Sequence, residues 1–394
     1  MVNEKVEAVK NSQDEIKQEV RKEVGEVKGE VKDMKENLSK VNKDVDEVKI
    51  MMIQMLEKLN RLELLKKLPS PTEGMLTTPR EDILITGGRA SRRKRLKSIA
   101  IYSWEKNGWF EVSPMIEEHA GASSFIYNDQ LFVAGGEHNK TIETLDLNEL
   151  PLKCMKFPVE LPYDCGGHQT VVYQQRVIHI GGFHYDKSGW SNMISELQLT
   201  CTTMKKLCQM PEPRECHGAE IIEDKVLVFG GQKSFGYQSS LDSVLAFDVK
   251  TNECKEMPPL PHSLTQVATV RWRDQVVVLG GCGKDGKVLN DVFMYDCKTG
   301  KIKALPSMLE ERCRCCAVIT GNTIVVLGGM NKKDKFLNSV ECFTMGGSTW
   351  EYLPAMNEAR FGAVAEVLPS TRKYVQVCHL RYTLRVQHED WYYY

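Results

Sequence analysis

Six times between residues 83 and 329 a run of β-forming residues ends in Gly-Gly. The first is Ile83-Leu84-Ile85-Thr86-Gly87-Gly88, and the others occupy 131–136, 177–182, 226–231, 276–281 and 324–329. Their first glycines lie 48, 46, 49, 50 and 48 residues apart. A period of about 50 residues with four short strands per unit is the mark of a β-propeller blade, a sheet that buries its faces only against its neighbours. A loop follows each pair, and then a third strand ending in a motif such as Leu145-Asp146, Phe247-Asp248 or Tyr295-Asp296. A last strand and turn complete the unit, as where Trp109 leads to Pro114-Met115 and Trp350 to Pro354-Ala355-Met356.

The phase of the repeat states how the ring should close. Five units have a first strand ahead of the double-glycine strand, beginning near His119, Asp164, Arg214, His262 and Arg312. The first unit has only a Pro/Thr-rich linker, residues 69–80, before it. A sixth such strand follows the last unit, at 361–368, and is expected to pair with residues 82–86, which removes both open edges. The sequence therefore predicts a six-bladed propeller over residues 81–368. Residues 369–394, ending Asp390-Trp391-Tyr392-Tyr393-Tyr394, have no place in that count.

The double glycine, the downstream aromatic–acid pair and the Trp-to-Pro-x-Met turn together resemble kelch repeats over roughly residues 80–368, closest to the propeller of kelch-like proteins. The resemblance implies an all-β six-bladed kelch-type β-propeller. It departs from the pattern at Cys154, Met204, Cys254 and Ile302, which stand where the repeat's Trp would be.

Residues 1–68 are of another kind. None of the 31 aromatic residues precedes Tyr102, and this segment holds 15 Lys+Arg and 15 Asp+Glu. Its apolar residues Val24, Val27, Val31, Met34, Leu38, Val41, Val45, Val48, Met52, Met55, Leu59 and Leu62 step alternately by three and four. A period of 3.5 is the seam of a left-handed coiled coil. Glu23–Lys28, Glu30–Lys35, Asp44–Lys49 and Lys58–Glu63 would pair across parallel, in-register helices, and valine at the second seam position leans toward three or more strands. The reading is a long α-helical coiled coil that makes the chain a homo-oligomer; a solvated single helix and a partner chain's helix are the alternatives.

A formal net charge of −1 disfavours a general polyanion binder, and nucleic acid is not an expected partner. No run of 18 apolar residues occurs, so no membrane span is expected. The charged start Met1-Val2-Asn3-Glu4-Lys5 does not resemble a secretory signal. Thirteen cysteines in no paired framework then read as free thiols in a reducing compartment. A cytoplasmic protein is expected, with nuclear access if Arg89-Ala90-Ser91-Arg92-Arg93-Lys94-Arg95-Leu96-Lys97 acts as an import signal; a solvated loop is the plainer reading. The C-x-x-C spacing in Cys313-Arg314-Cys315-Cys316 lacks a second ligand pair, so buried core cysteines are expected rather than zinc, and no metal or other cofactor.

Loops alternate between the two faces of a four-stranded meander, so those after Gly-Gly share a face with the lead-ins to each first strand. That face should present Arg89, Arg92, Arg93, His138, Phe183, His184, Tyr185, Phe235 and Tyr237 from the loops. Glu137, Lys233, Lys284 and Lys332 lie in the same loops, and His119, Arg214, Arg312 and Arg360 stand at the strand starts. Exposed aromatics beside arginines are what binding hot spots use, and kelch-like propellers commonly hold partner peptide segments there. The expected function is a non-enzymatic protein–protein interaction protein: a propeller that binds a protein partner and is oligomerised by the helix. Alternatives are a substrate-recognition adaptor of a cullin-type ubiquitin ligase, although no BTB domain precedes the propeller, and, further off, an actin-binding protein or a metal-dependent oxidase.

Overall fold

The computed structural model describes residues 80–369 and, ahead of them, Val20, Lys22, Val24, Gly25, residues 27–35 and Asn37. Those N-terminal residues are helical and exposed, and Val24, Val27, Val31 and Met34 present apolar side chains to solvent. The seam residues Leu38, Val41, Val45, Val48, Met52, Met55, Leu59 and Leu62, the linker up to 79 and the tail from 370 lie outside the described residues. No helix among the described residues is long and apolar enough to cross a membrane.

Residues 80–369 form six four-stranded antiparallel sheets. In blade 2 the strands are Ser123–Tyr127, Gln130–Ala134, Ile142–Asp146 and Cys154–Lys156, in sequence order from first to outer. Blades 3 to 6 repeat that order, starting at Gln169–Tyr173, Gly218–Ile222, Ala268–Trp272 and Cys316–Thr320. Blade 1 takes its first strand from the other end of the chain. Val364–Val367 pairs with Ile83–Thr86, with Ile83 opposite Val367 and Thr86 opposite Val364. The ring closes through hydrogen bonds, with no open edge at the seam.

The double-glycine strands are buried along their whole length. Ile83–Thr86 and Thr323–Leu327 have no exposed residue on either side. Each blade packs both faces against neighbours, so these strands read as continuous apolar runs rather than alternating ones. The cores accordingly sit between blades. Leu84, Ile99 and Ile101 of blade 1 pack with Leu131, Val133 and Leu145 of blade 2. Ile178 and Ile194 of blade 3 meet Val226, Leu245 and Phe247 of blade 4.

The Gly-Gly pair stitches blade to blade. Gly328 has φ +62°, and a Cβ there would lie 2.3 Å from the Arg360 carbonyl oxygen. Gly329 donates its N–H to that same carbonyl at 2.7 Å. The equivalent bond recurs around the ring, from Gly88 to His119, Gly182 to Arg214 and Gly281 to Arg312. Only a residue without a Cβ permits both the left-handed backbone and the close approach.

First strands line an axial channel of about 410 Å³. Glu366 accepts a hydrogen bond from Ser124 at 2.7 Å and Glu220 one from Thr269 at 3.0 Å. Burial pushes both carboxyls up to about 7.

Candidate binding face

The lead-ins bring six residues to the loop-side mouth of the channel: Gly121, Gly167, Cys216, Gln266, Arg314 and Gly362. All have positive φ. Their backbones form a closed collar, each N–H donating to the carbonyl of the residue one blade back at 2.7–2.9 Å, with Gly121 bonding Gly362 across the closure. Left-handed geometry is uncommon outside glycine. Three positions nonetheless carry side chains, and one of them, Arg314, reaches over the mouth.

Arg314 donates to Glu137 Oε1 at 3.1 Å and to Cys216 Sγ at 3.2 Å, and its guanidinium stands over the Phe361 ring. Glu137 is also bound by Arg89, through Nε at 2.9 Å and the second nitrogen more closely, with Arg95 Nε 3.9 Å away. Burial raises the Glu137 carboxyl, but Arg314, Arg89 and Arg95 outweigh it and hold it below the ordinary range. Three arginines around one carboxylate leave two positive charges in excess. Arg89 and Arg95 are held facing each other because Arg89–Ser91 and Lys94–Arg95 form a hairpin.

An aromatic wall adjoins this centre. Phe183–His184 pairs with Cys165–Gly166 and with Gly189–Trp190, which fixes the blade 3 loop. Phe183 packs edge-on against Tyr185 and Trp190, at centroid distances of 4.9 and 4.8 Å. Phe235, from the blade 4 loop, meets Phe183 at 5.6 Å and Trp190 at 4.5 Å and is still 77% exposed. His138 lies 4.3 Å from Tyr185. Trp190 Nε1 and Gln232 Nε2 both donate to Glu215, the neighbour of Cys216, so wall and arginine centre are continuous. Burial pushes the Cys216 thiol up to about 11 and the Tyr185 hydroxyl upward as well.

The remaining loop residues take several positions. Arg92 and Arg93 are exposed at the hairpin tip, Arg92 pairing with Asp334 at 3.0 Å. His184 stacks on Tyr163 at 3.7 Å rather than facing the centre. Tyr237 packs with the buried Cys282 and Cys313, and burial pushes its hydroxyl up to about 12.

Four expected face residues are interior. First strands begin four to six residues after the predicted starts, which leaves His119, Arg214, Arg312 and Arg360 in the lead-in turns with their side chains turned into the blades. Arg312 donates to the Gly328 carbonyl at 2.9 Å and to Glu341. Arg360 donates to the Gly87 carbonyl at 2.8 Å, and Arg214 to that of Gly230 at 3.0 Å. His119 bonds the Gly135 carbonyl at 2.7 Å and Glu143 at 3.1 Å. Each occupies the same register and satisfies the first glycine of the double-glycine pair beside it, a carbonyl that would otherwise be buried and unpaired. Burial lowers Arg214 to about 10. Arg95, Trp190, Glu215 and Arg314 are not singled out by the sequence as face residues. Alignment of the lead-ins carries a signal for Arg314, since glycine holds its register position in three of six blades. Cys313 and Cys315 are buried, and among the described residues no group of three His, Cys, Asp or Glu side chains is placed to hold a metal ion.

A family model described as "KLHDC2/KLHL20/DRC7 Kelch-repeats domain" matches residues 167–375. The chain is similar to Kelch-like protein 7 of Rattus norvegicus, 36% identical over 90 residues that make up 22% of this chain and 15% of that protein. It is similar also to Kelch-like protein 40 of Mus musculus, 25% identical over 223 residues, 55% of this chain and 35% of that one. The chain thus spans about a third or less of the length of these relatives. Among solved structures, "Structure of YjhT" matches with a TM-score of 0.57 and 13% identity, covering 64% of this chain and 88% of that chain. That likeness concerns the fold. With more than half of its length matched by the family model and six double-glycine blades closed by a C-terminal strand, the chain belongs to the kelch-repeat family.

Proposed function

We propose that the chain is a protein-binding scaffold that holds extended partner segments on the loop face of the propeller. The observation that carries this reading is the exposed Phe235 on its aromatic wall beside the Arg314–Glu137 centre. Large apolar side chains next to arginines release much water and supply charge-assisted bonds, which is how a small surface reaches useful affinity. The titratable groups of the centre are committed to one another: Glu137 is held by arginines, Glu215 accepts two hydrogen bonds, and the Cys216 thiol is protonated at neutral pH. That supports binding rather than catalysis. Free thiols throughout the described residues fit a reducing, cytoplasmic setting.

The N-terminal seam supplies the second half of the proposal. A parallel homo-oligomer would present several propellers at once and raise apparent affinity for a multivalent target by roughly 10²–10⁴. Val41→Asp places a charge in the seam, and the expected outcome is a fall to monomer mass by light scattering. Unchanged mass would refute self-association through the seam.

The test of binding is quantitative mass spectrometry of proteins captured by the intact chain, by a Phe235→Ala variant and by a chain starting at Pro69. Loss of the same partners in the variant is expected, with weakening in the shortened chain. Capture indifferent to Phe235 would overturn the reading. Recovery of a cullin would favour the adaptor role that the similarity to kelch-like proteins suggests.

A further inference from the structure

We infer that the loop face is covered in the free protein by the chain's own C-terminal segment, Val386-Gln387-His388-Glu389-Asp390-Trp391-Tyr392-Tyr393-Tyr394. This rests on the binding reading of that face and names its resident occupant. Three features of the molecule support it.

The first is charge. Arg89, Arg95 and Arg314 against Glu137 leave the centre two positive charges in excess, and the segment carries two carboxylates, Glu389 and Asp390, with no Lys or Arg. Guanidinium groups already aligned on one carboxylate are arranged to take another in the same plane.

The second is order along the chain. The two acids are followed directly by Trp391 and three tyrosines, while the face has its arginine centre followed by Tyr185, Phe183, Trp190 and the 77%-exposed Phe235. Acid then aromatic on the segment matches arginine then aromatic on the face. Edge-on and offset ring contacts at roughly 4.5–7 Å would extend the geometry Phe235 already makes with Trp190.

The third is reach. The closing strand runs away from the loop face, and Leu368 donates to the Asp82 carbonyl at its far end. From there 17 residues lead to Val386, and an extended chain of that length spans roughly 55 Å at about 3.3 Å per residue. Recrossing a blade of five-residue strands takes about 17 Å, so the return is well within reach. A tethered segment competes at an effective concentration in the millimolar range, so a partner must displace it, and weakening the tail raises partner capture.

The test uses the intact chain beside a variant carrying Glu389→Gln, Asp390→Asn and Trp391→Ala, which leaves the propeller sequence untouched. Amide hydrogen exchange is measured over residues 135–141, 183–191 and 230–240. The account expects exchange there to quicken several-fold in the variant. The buried double-glycine strand of every blade, Ile83–Thr86 in blade 1, should be unchanged, and protection in the intact chain should be independent of protein concentration. Equal exchange in both proteins, or protection that vanishes on dilution, overturns the intramolecular assignment. A synthetic peptide of residues 386–394 added to the variant should restore protection, and should not do so when Phe235→Ala is added; a peptide without effect contradicts the inference. If exchange is unaltered while partner capture still depends on Phe235, the tail inference fails and the binding reading stands.

Discussion

Arg312 and Arg314 stand two residues apart and do opposite work. Arg312 is fully buried, bridging the Gly328 carbonyl, Ser339 and Glu341 inside blade 6. Arg314 sits at a left-handed collar position and projects across the channel mouth to Glu137 and Cys216. The same contrast separates all the lead-ins from the loops after the double glycines. Both lie at one end of the ring, but the lead-ins lock blades together while the loops carry the exposed surface. Position relative to the collar, not residue type, decides whether an arginine is structural or available.

The comparison is broken most severely by removing a lead-in arginine. Arg312→Ala leaves Glu341 buried without its cation, for an expected loss of about 3–5 kcal/mol in a denaturant titration; a loss below about 1 kcal/mol would return Arg312 to the surface class. Gly328→Ala forces a Cβ against the Arg360 carbonyl at positive φ and is expected to cost roughly 2–4 kcal/mol, from backbone strain and overpacking together.

Two buried regions should titrate in opposite directions. Glu220 and Glu366 have folded values near 7, raised from 4.5 by burial. Their stabilising contribution is present below about 4.5 and is lost as pH rises toward 7, so Glu366→Gln should flatten that decline in melting temperature. Between blades 3 and 4, burial lowers His168 and His217 from 6.5 to about 3, and both side chains are enclosed. Their contribution is present above about 6.5 and lost as pH falls toward 3. His217→Gln should shift acid unfolding measured by near-ultraviolet circular dichroism, and an unchanged acid limb would contradict that assignment. Phe235→Ala gives the smallest effect on stability, within about 0.5 kcal/mol, because the ring is 77% exposed.

The six-blade ring and its C-terminal closing strand are legible because the Gly-Gly period and the missing first strand both follow from backbone geometry that only particular residues allow. The binding centre is legible only in part. Phe183, Tyr185 and Phe235 lie in loops whose face follows from the meander, and they do gather there. His119, Arg214, Arg312 and Arg360 are misplaced by the sequence pattern. Hydrophobic periodicity does not show that strand starts are preceded by a turn whose side chains serve buried glycine carbonyls. Arg314 is hidden inside a cysteine-rich string that reads as strand. What exposes it is a collar hydrogen bond between blades about 50 residues apart, which no local pattern reveals.

The central claim is that the loop face binds partners while the rest of the ring supports it. The most direct measurement places a photo-crosslinking phenylalanine analogue at Phe235 of the intact chain, and in a second protein at Tyr352, which is 56% exposed on the outer strand of blade 6. The account predicts that partner proteins crosslink from position 235 and not from 352. Equal capture from both positions, or capture from 352 alone, would contradict it.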